Sequence, residues 1–137
     1  MEPIFSGIRE LLMMTWLAVA IGGAFGALGR YMLSGWLTSL LGRGFPWGTF
    51  GVNLLGCCLI GALYVWLTQE LKLAPIWQAV LVAGFTGAFT TFSTFALEAL
   101  TLMENGRAMI AALYVTASLV LGIAGVAAGM KLARLFV

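Results

Sequence analysis

Histidine is absent from the 137 residues, and with it the commonest acid–base side chain and the commonest metal ligand. Cysteine is nearly absent: Cys57 and Cys58 are the only two. Adjacent on a helix they would point about 100° apart and cannot bridge each other, so both read as small apolar packing residues. Charge is scarce. Charged residues make up 9% of the chain, against roughly 25% in a soluble domain. The net charge of +2 arises from few residues and gives no basic footprint for a nucleic-acid partner. No ATP-binding motif is present, and no catalytic constellation survives these absences, which argues against an enzyme. What remains is apolar: 62% hydrophobic residues and a mean hydropathy of +1.06. Solubility is excluded, and a chain bathed in lipid is expected.

The length suits one compact membrane domain covering residues 1–137. Arg9 and Glu10 precede a long apolar stretch with no small-residue cleavage site, so the N-terminal region reads as a first span and not as a signal peptide. Charged residues divide the chain into four apolar stretches, at about 11–41, 47–68, 75–103 and 108–130. Each covers the roughly 20 residues a membrane helix requires. The connections at 42–46, 69–74 and 104–107 are short, turn-like and hold most of the charge. Trp47, Trp66 and Trp77 fall near span ends, where interfacial indoles belong.

Four spans put Arg9, Lys72, Lys131 and Arg134 on one side of the membrane. Arg43 and Arg107 lie on the other, joined by Arg30 if it reaches that surface. This bias barely selects an orientation under the positive-inside rule. Two readings stand: copies that insert both ways and pair antiparallel, or one orientation set by other factors. Gly22 and Gly26 form one G-x-x-x-G and Gly125 and Gly129 another, while Gly56 and Gly61 are less regular. Such faces bring helices into close contact, within a chain or between two. Four spans enclose little interior, which favours a homo-oligomer.

The third stretch carries no charge from Leu73 to Leu97, long enough to cross a bilayer. Its middle, Gly84-Phe85-Thr86-Gly87-Ala88-Phe89-Thr90-Thr91, is glycine-rich and β-branched and suits a straight helix poorly. Irregular backbone at membrane depth is tolerated only when buried in protein or lining a wet path. A helix broken between Gly87 and Thr90, beside a route for a small solute, is therefore expected. A break frees carbonyls able to coordinate a hard cation.

Phe92 and Phe95 lie three apart, on one face if helix resumes after the break. Aromatic rings carry positive edges, so two edges aimed into a passage suit a poorly hydrated anion. The ordinary role of such a pair is packing. Thr90, Thr91, Ser93 and Thr94 interleave with the rings, and hydroxyls can replace a hydration shell or bond back to the i−4 carbonyl. Asn53 inside the second span either ties helices together or faces a solute. Arg30 and Glu98 are the charges deepest in apolar sequence, which makes them functional candidates by default. Arg30 also fits a residue snorkelling from a helix end, and Glu98 one marking the approach to the surface. Tyr114 and Ser118, four apart, place two hydroxyls on one face of the fourth span.

Three blocks then stand in order: Gly22-Gly23-Ala24-Phe25-Gly26-Ala27-Leu28-Gly29-Arg30-Tyr31; Pro46-Trp47-Gly48-Thr49 followed by Asn53 and Gly56; and Gly84 through Phe95. This constellation resembles the small dual-topology fluoride channels, the Fluc (CrcB) family, over nearly the whole chain. The resemblance implies an all-α membrane fold of four helices per subunit, the third broken at its centre, in an antiparallel homodimer. It implies two fluoride pathways per dimer, passive export of cytoplasmic fluoride, and location in the bacterial inner membrane. It further implies a structural sodium ion held by backbone carbonyls of Gly87 and Thr90. Phe92 and Phe95 would face fluoride with their ring edges. Asn53, Ser93, Thr94, Tyr114 and Ser118 would lie along or beside the pathways, and Arg30 near an entrance. The rival readings are a small proton-coupled multidrug transporter and a non-transporting assembly subunit. The first resembles exchangers with a carboxylate in the first span, where this chain has Arg30 and no acid.

Overall fold

The structure of the chain, a computed structural model, describes residues 2–70 and 74–136, side chains of residues 2–6, 8 and 68–70 apart. Lys72, counted above for orientation, lies outside the described residues. All regular structure among the described residues is helical. Helix α1 (Glu2–Leu41) leads through a short loop to α2 (Trp47–Tyr64), which widens into π-helical turns over Val65–Glu70. The third span is composite: one turn of α3 (Pro75–Gln78), a π-helical stretch (Ala79–Thr86), α4 (Gly87–Phe89), then α5 (Phe92–Glu104). Helix α6 (Ala108–Arg134) closes the chain. Four helical stretches are long and apolar enough to cross a membrane: Arg9–Leu41, Trp47–Leu67, Pro75–Glu104 and Ala108–Arg134. The chain is a multi-pass membrane protein.

Punctuation explains the ends. Helix α1 stops at Gly42, whose φ of 83° is left-handed and suits glycine; its N–H returns to the Thr38 carbonyl at 3.0 Å. Gly106, with φ 72°, serves in the same way between α5 and α6. Pro75 opens α3 at the first helical position, where its missing N–H costs no bond. Lys131 and Arg134 occupy the last turn of α6, facing the negative end of its dipole. The 40 residues of α1 reach about 60 Å at 1.5 Å per residue, twice the ~30 Å hydrocarbon layer.

Water cannot drive helices together inside lipid, so contact is won by backbone proximity. The glycine faces seen in the sequence pack within this one chain. A Cβ on Gly22 or Gly26 would collide with backbone of Val80 or Phe85, and one on Gly84 would press on Val19 and Gly22; this locks α1 to the third span. A Cβ on Gly61 or Gly129 would strike the Val126 or Cys58 carbonyl, and Gly125 sits against Cys58 and Leu54; this locks α2 to α6. Gly48 rests on Ser34 and Thr38 of α1. A small core at the other end of the bundle joins Ala99 and Leu102 of α5 to Ala111 and Tyr114 of α6, with Phe45, Phe50 and Phe95 packed around them. The outer faces carry Trp16, Phe25, Trp36, Leu113 and Ile123, all well exposed, as suits lipid.

These contacts give a test of packing. Gly129→Ala is expected to force α2 and α6 apart and destabilise the fold by about 1–3 kcal/mol, as overpacking does. Gly35→Ala, where a Cβ meets nothing within 4 Å, should leave stability unchanged or slightly higher. Heating each variant in detergent and following the folded peak by fluorescence-detected size exclusion checks the difference.

Candidate functional site

The break in the third span is narrower than its glycine content suggests. The chain from Gly84 to Phe89 stays helical, first wide and then regular, and the Thr86 hydroxyl donates to the Leu81 carbonyl five residues back at 2.8 Å. Only Thr90 (φ −80°, ψ 158°) and Thr91 (φ −147°, ψ 119°) are extended. β-branched residues favour that conformation, so two adjacent threonines set the position of the break.

An extended pair in mid-membrane leaves main-chain groups that lipid cannot satisfy. Asn53 of α2 satisfies them. Its amide nitrogen donates to the Thr91 carbonyl at 2.9 Å, and its amide oxygen accepts the Thr91 N–H at 2.8 Å. One side chain thus imitates a strand neighbour. The Thr91 hydroxyl then accepts the Thr94 N–H at 3.3 Å and caps α5, while donating to the Thr94 hydroxyl at 3.0 Å. Two carbonyls lose their helical donors as a result. The Thr91 N–H would bind Gly87 in a continuous helix, and the Thr94 N–H would bind Thr90; both N–H groups are turned elsewhere. These are the two carbonyls the resemblance assigns to sodium, and neutral oxygens of this kind suit a hard cation.

The hydroxyls divide into two groups. Thr90 bonds back to the Thr86 carbonyl at 3.0 Å, and Thr15 and Thr101 do likewise four residues back. Thr91, Ser93 and Thr94 instead form a small cluster at the start of α5, with Ser93 3.4 Å from Thr91. The Thr94 hydroxyl, accepting from Thr91, keeps its own hydrogen for another acceptor.

Two hollows flank the Asn53–Thr91 pairing. One, of about 430 Å³, is lined by Asn53, Gly87, Thr90, Phe92, Phe95 and Ser118, among others. The Phe92 and Phe95 rings stand 5.8 Å apart at 43°, and Phe92 is 79% exposed. The Ser118 hydroxyl is buried there without a hydrogen-bond partner, a state that costs about 1–3 kcal/mol. The other hollow, of about 780 Å³, is lined by Arg30, Arg43, Ser34, Thr38, Thr49 and Thr94, among others. No carboxylate is among its described lining residues, while Arg30 and Arg43 bring two positive charges to it. Thr91 belongs to both walls.

The residues singled out in the sequence therefore fall into four places. Asn53, Phe92, Phe95, Ser118, Gly87 and Thr90 share the first hollow, and Arg30 and Thr94 share the second. Ser93 is exposed at the head of α5. Tyr114 is fully buried and lines neither hollow; it backs Phe95 with ring centroids 5.0 Å apart. Its hydroxyl donates to Glu98 Oε2 at 2.8 Å, and the Thr49 hydroxyl donates to Glu98 Oε1 at 2.9 Å. Glu98 thus meets two hydroxyls and not Arg30. Sequence reasoning did not assign Thr49 a role, although a deep carboxylate needs donors and Thr49 ends the Pro46-Trp47-Gly48-Thr49 block.

Residues 17–130 match the family described as CrcB-like protein, Camphor Resistance (CrcB). A protein of Saccharophagus degradans named fluoride-specific ion channel FluC is 45% identical over 128 residues, covering 93% of this chain and 95% of its own length. Proteins of the same name from Hahella chejuensis and Acidobacterium capsulatum are 43% and 46% identical over 117 residues, each covering 85% of this chain and 92% and 94% of their own lengths. With a matched region spanning all four membrane helices and relatives this similar, the chain belongs to the CrcB-like family.

Proposed function

We propose that the protein is a fluoride channel that passively exports cytoplasmic fluoride across the bacterial inner membrane, as two antiparallel copies with two pathways. The carrying observation is one hollow that combines two aromatic rings, an unpartnered buried hydroxyl and the amino end of α5, in a chain whose relatives are named fluoride-specific channels. Fluoride is strongly hydrated in bulk and reaches the ring edges as a poorly hydrated ion only where the pathway replaces its lost water bonds. Arg30 and Arg43 gather the anion in the basic hollow. The hydroxyls of Thr94 and Ser93 and the positive end of the α5 dipole then take over from water. Beyond them the positive ring edges of Phe92 and Phe95 receive the bare ion, and Ser118 gives it a donor on the far side. Tyr114 acts from behind, holding Phe95 against the passage while its own hydrogen is committed to Glu98. Asn53 keeps the break open and its geometry fixed.

The open side of the first hollow and the exposed Phe92 support a second copy covering this face. Near-balanced basic residues at the two ends support insertion in both directions. Gly87 and Thr90 would hold a structural sodium ion through their released carbonyls, and its charge would pin the break without taking part in transport. The cell gains from a purely passive device. Undissociated HF enters and ionises inside, and a membrane potential negative inside drives the anion out.

Liposomes loaded with fluoride, with valinomycin to clear charge and a fluoride electrode outside, test this reading. Rapid electrogenic efflux of fluoride with chloride retained is expected; a folded protein that passes none would overturn it. In the same assay Phe95→Ile should slow efflux roughly tenfold or more, equivalent to about 1.4 kcal/mol in the barrier. Asn53→Asp should do so too, because it loses the donor to Thr91 and sets a negative charge beside that carbonyl. Orientation has its own test. A single extramembrane cysteine tag should label from both faces of the membrane in intact cells, and labelling from one face alone would contradict antiparallel pairing.

A further inference from the structure

The loop between α1 and α2 is short, non-helical and remote in sequence from the broken span, yet its one aromatic residue reaches the pathway rings through a single intermediate. The Phe45 ring meets the Tyr114 ring edge-on, with centroids 5.3 Å apart at 81°. Tyr114 in turn meets Phe95 at 5.0 Å, and Phe95 meets Phe92 at 5.8 Å. Phe45 is itself wedged by Trp47 at 4.5 Å and Phe50 at 5.6 Å. The loop that carries it is pinned by the neighbouring α5–α6 connection at the same end of the bundle, where the Arg107 guanidinium donates to the Gly44 carbonyl. Tyr114 has no exposed surface, and its hydroxyl is tied to Glu98. Its ring lies between those of Phe45 and Phe95 in a cluster closed by Ala99, Leu102 and Ala111, and a close-packed interior transmits a displacement of Phe45 toward Phe95.

We propose that Phe45 is a positioning residue for the ion pathway: it holds the Tyr114 ring, and through it sets the angle at which Phe95 presents its edge to the anion. The loop is then a working part of the pathway and not a bare connection. Removing the Phe45 ring leaves Tyr114 space to retreat, and Phe95 follows it. Among charged groups, Glu98 is bonded to Tyr114 and Arg107 to Gly44, and Arg43 stands two residues before Phe45 in the loop. This inference rests on the fluoride-pathway reading above.

The test places a single 4-fluorophenylalanine at position 95 of the full-length protein in lipid nanodiscs and reads its 19F resonance. A control label goes at position 25, on the outer face of α1, where Phe25 is well exposed. Phe45→Leu is expected to move the resonance at 95 and leave that at 25 in place. It should also slow fluoride efflux roughly three- to tenfold, the scale of one lost aromatic pair. Phe45→Tyr, which keeps the ring, should restore both signals toward wild type. If Phe45→Leu does not fold, Phe45→Met, whose unbranched side chain adapts to an irregular space, carries the same expectation. An unmoved resonance at 95, movement of both labels together, or a moved resonance with unchanged efflux would each overturn the proposal. Should the wild type carry no fluoride, the pathway reading fails on its own, and the 19F signal still decides whether Phe45 positions Phe95.

Discussion

Everything distinctive in this molecule depends on two hydrogen bonds, at 2.9 and 2.8 Å, between the Asn53 amide and the main chain of Thr91. A helix interrupted in hydrocarbon leaves an amide and a carbonyl that no lipid can satisfy, and each such loss costs several kcal/mol. Asn53 removes that cost at one residue, and the consequences spread outward. The third span can open, α5 can begin anew with Thr91 as its cap, and Phe92 and Phe95 acquire the orientation of a first helical turn. The same diversion leaves the Gly87 and Thr90 carbonyls without their helical donors. A continuous helix through Thr90 and Thr91 would have none of these features.

Around that pairing the polar groups divide their labour. Back-bonded threonines such as Thr86 and Thr90 satisfy themselves locally and steer the backbone. Thr91, Ser93 and Thr94 form a cluster in which Thr91 spends its hydrogen on Thr94 and Thr94 keeps its own. Thr49 and Tyr114 spend theirs on Glu98, so that a carboxylate deep in apolar sequence is met by two donors. Among the described residues, Ser118 alone is buried with its hydroxyl unspent. The arrangement keeps a few donors available in an otherwise satisfied interior, which a site for a dehydrated anion requires.

Much of this was legible in the chain itself. Sparse charge marked the four spans, because a charged side chain is costly within a bilayer. Gly22, Gly26, Gly125 and Gly129 announced close contacts, though only the fold shows that they pack within one chain against Phe85 and Cys58. The break was legible as a region but not as a position: it was expected between Gly87 and Thr90, whereas Gly87–Phe89 stay helical and the interruption falls on Thr90 and Thr91. Asn53 was left between tying helices and facing a solute, and it does the first while lining the hollow. The partners of Glu98 were not legible, because Thr49 is 49 residues away and no periodicity links them. Phe45 was hidden for the same reason, since a loop residue carries no helical phase.

The central claim is that the broken span conducts one particular anion. It is tested most directly by the reversal potential of the purified protein in a planar bilayer, with a fluoride gradient set against an opposed chloride gradient at equal pH. The account predicts reversal at the fluoride equilibrium potential. Reversal at the chloride potential, or one that follows an imposed proton gradient, would contradict it.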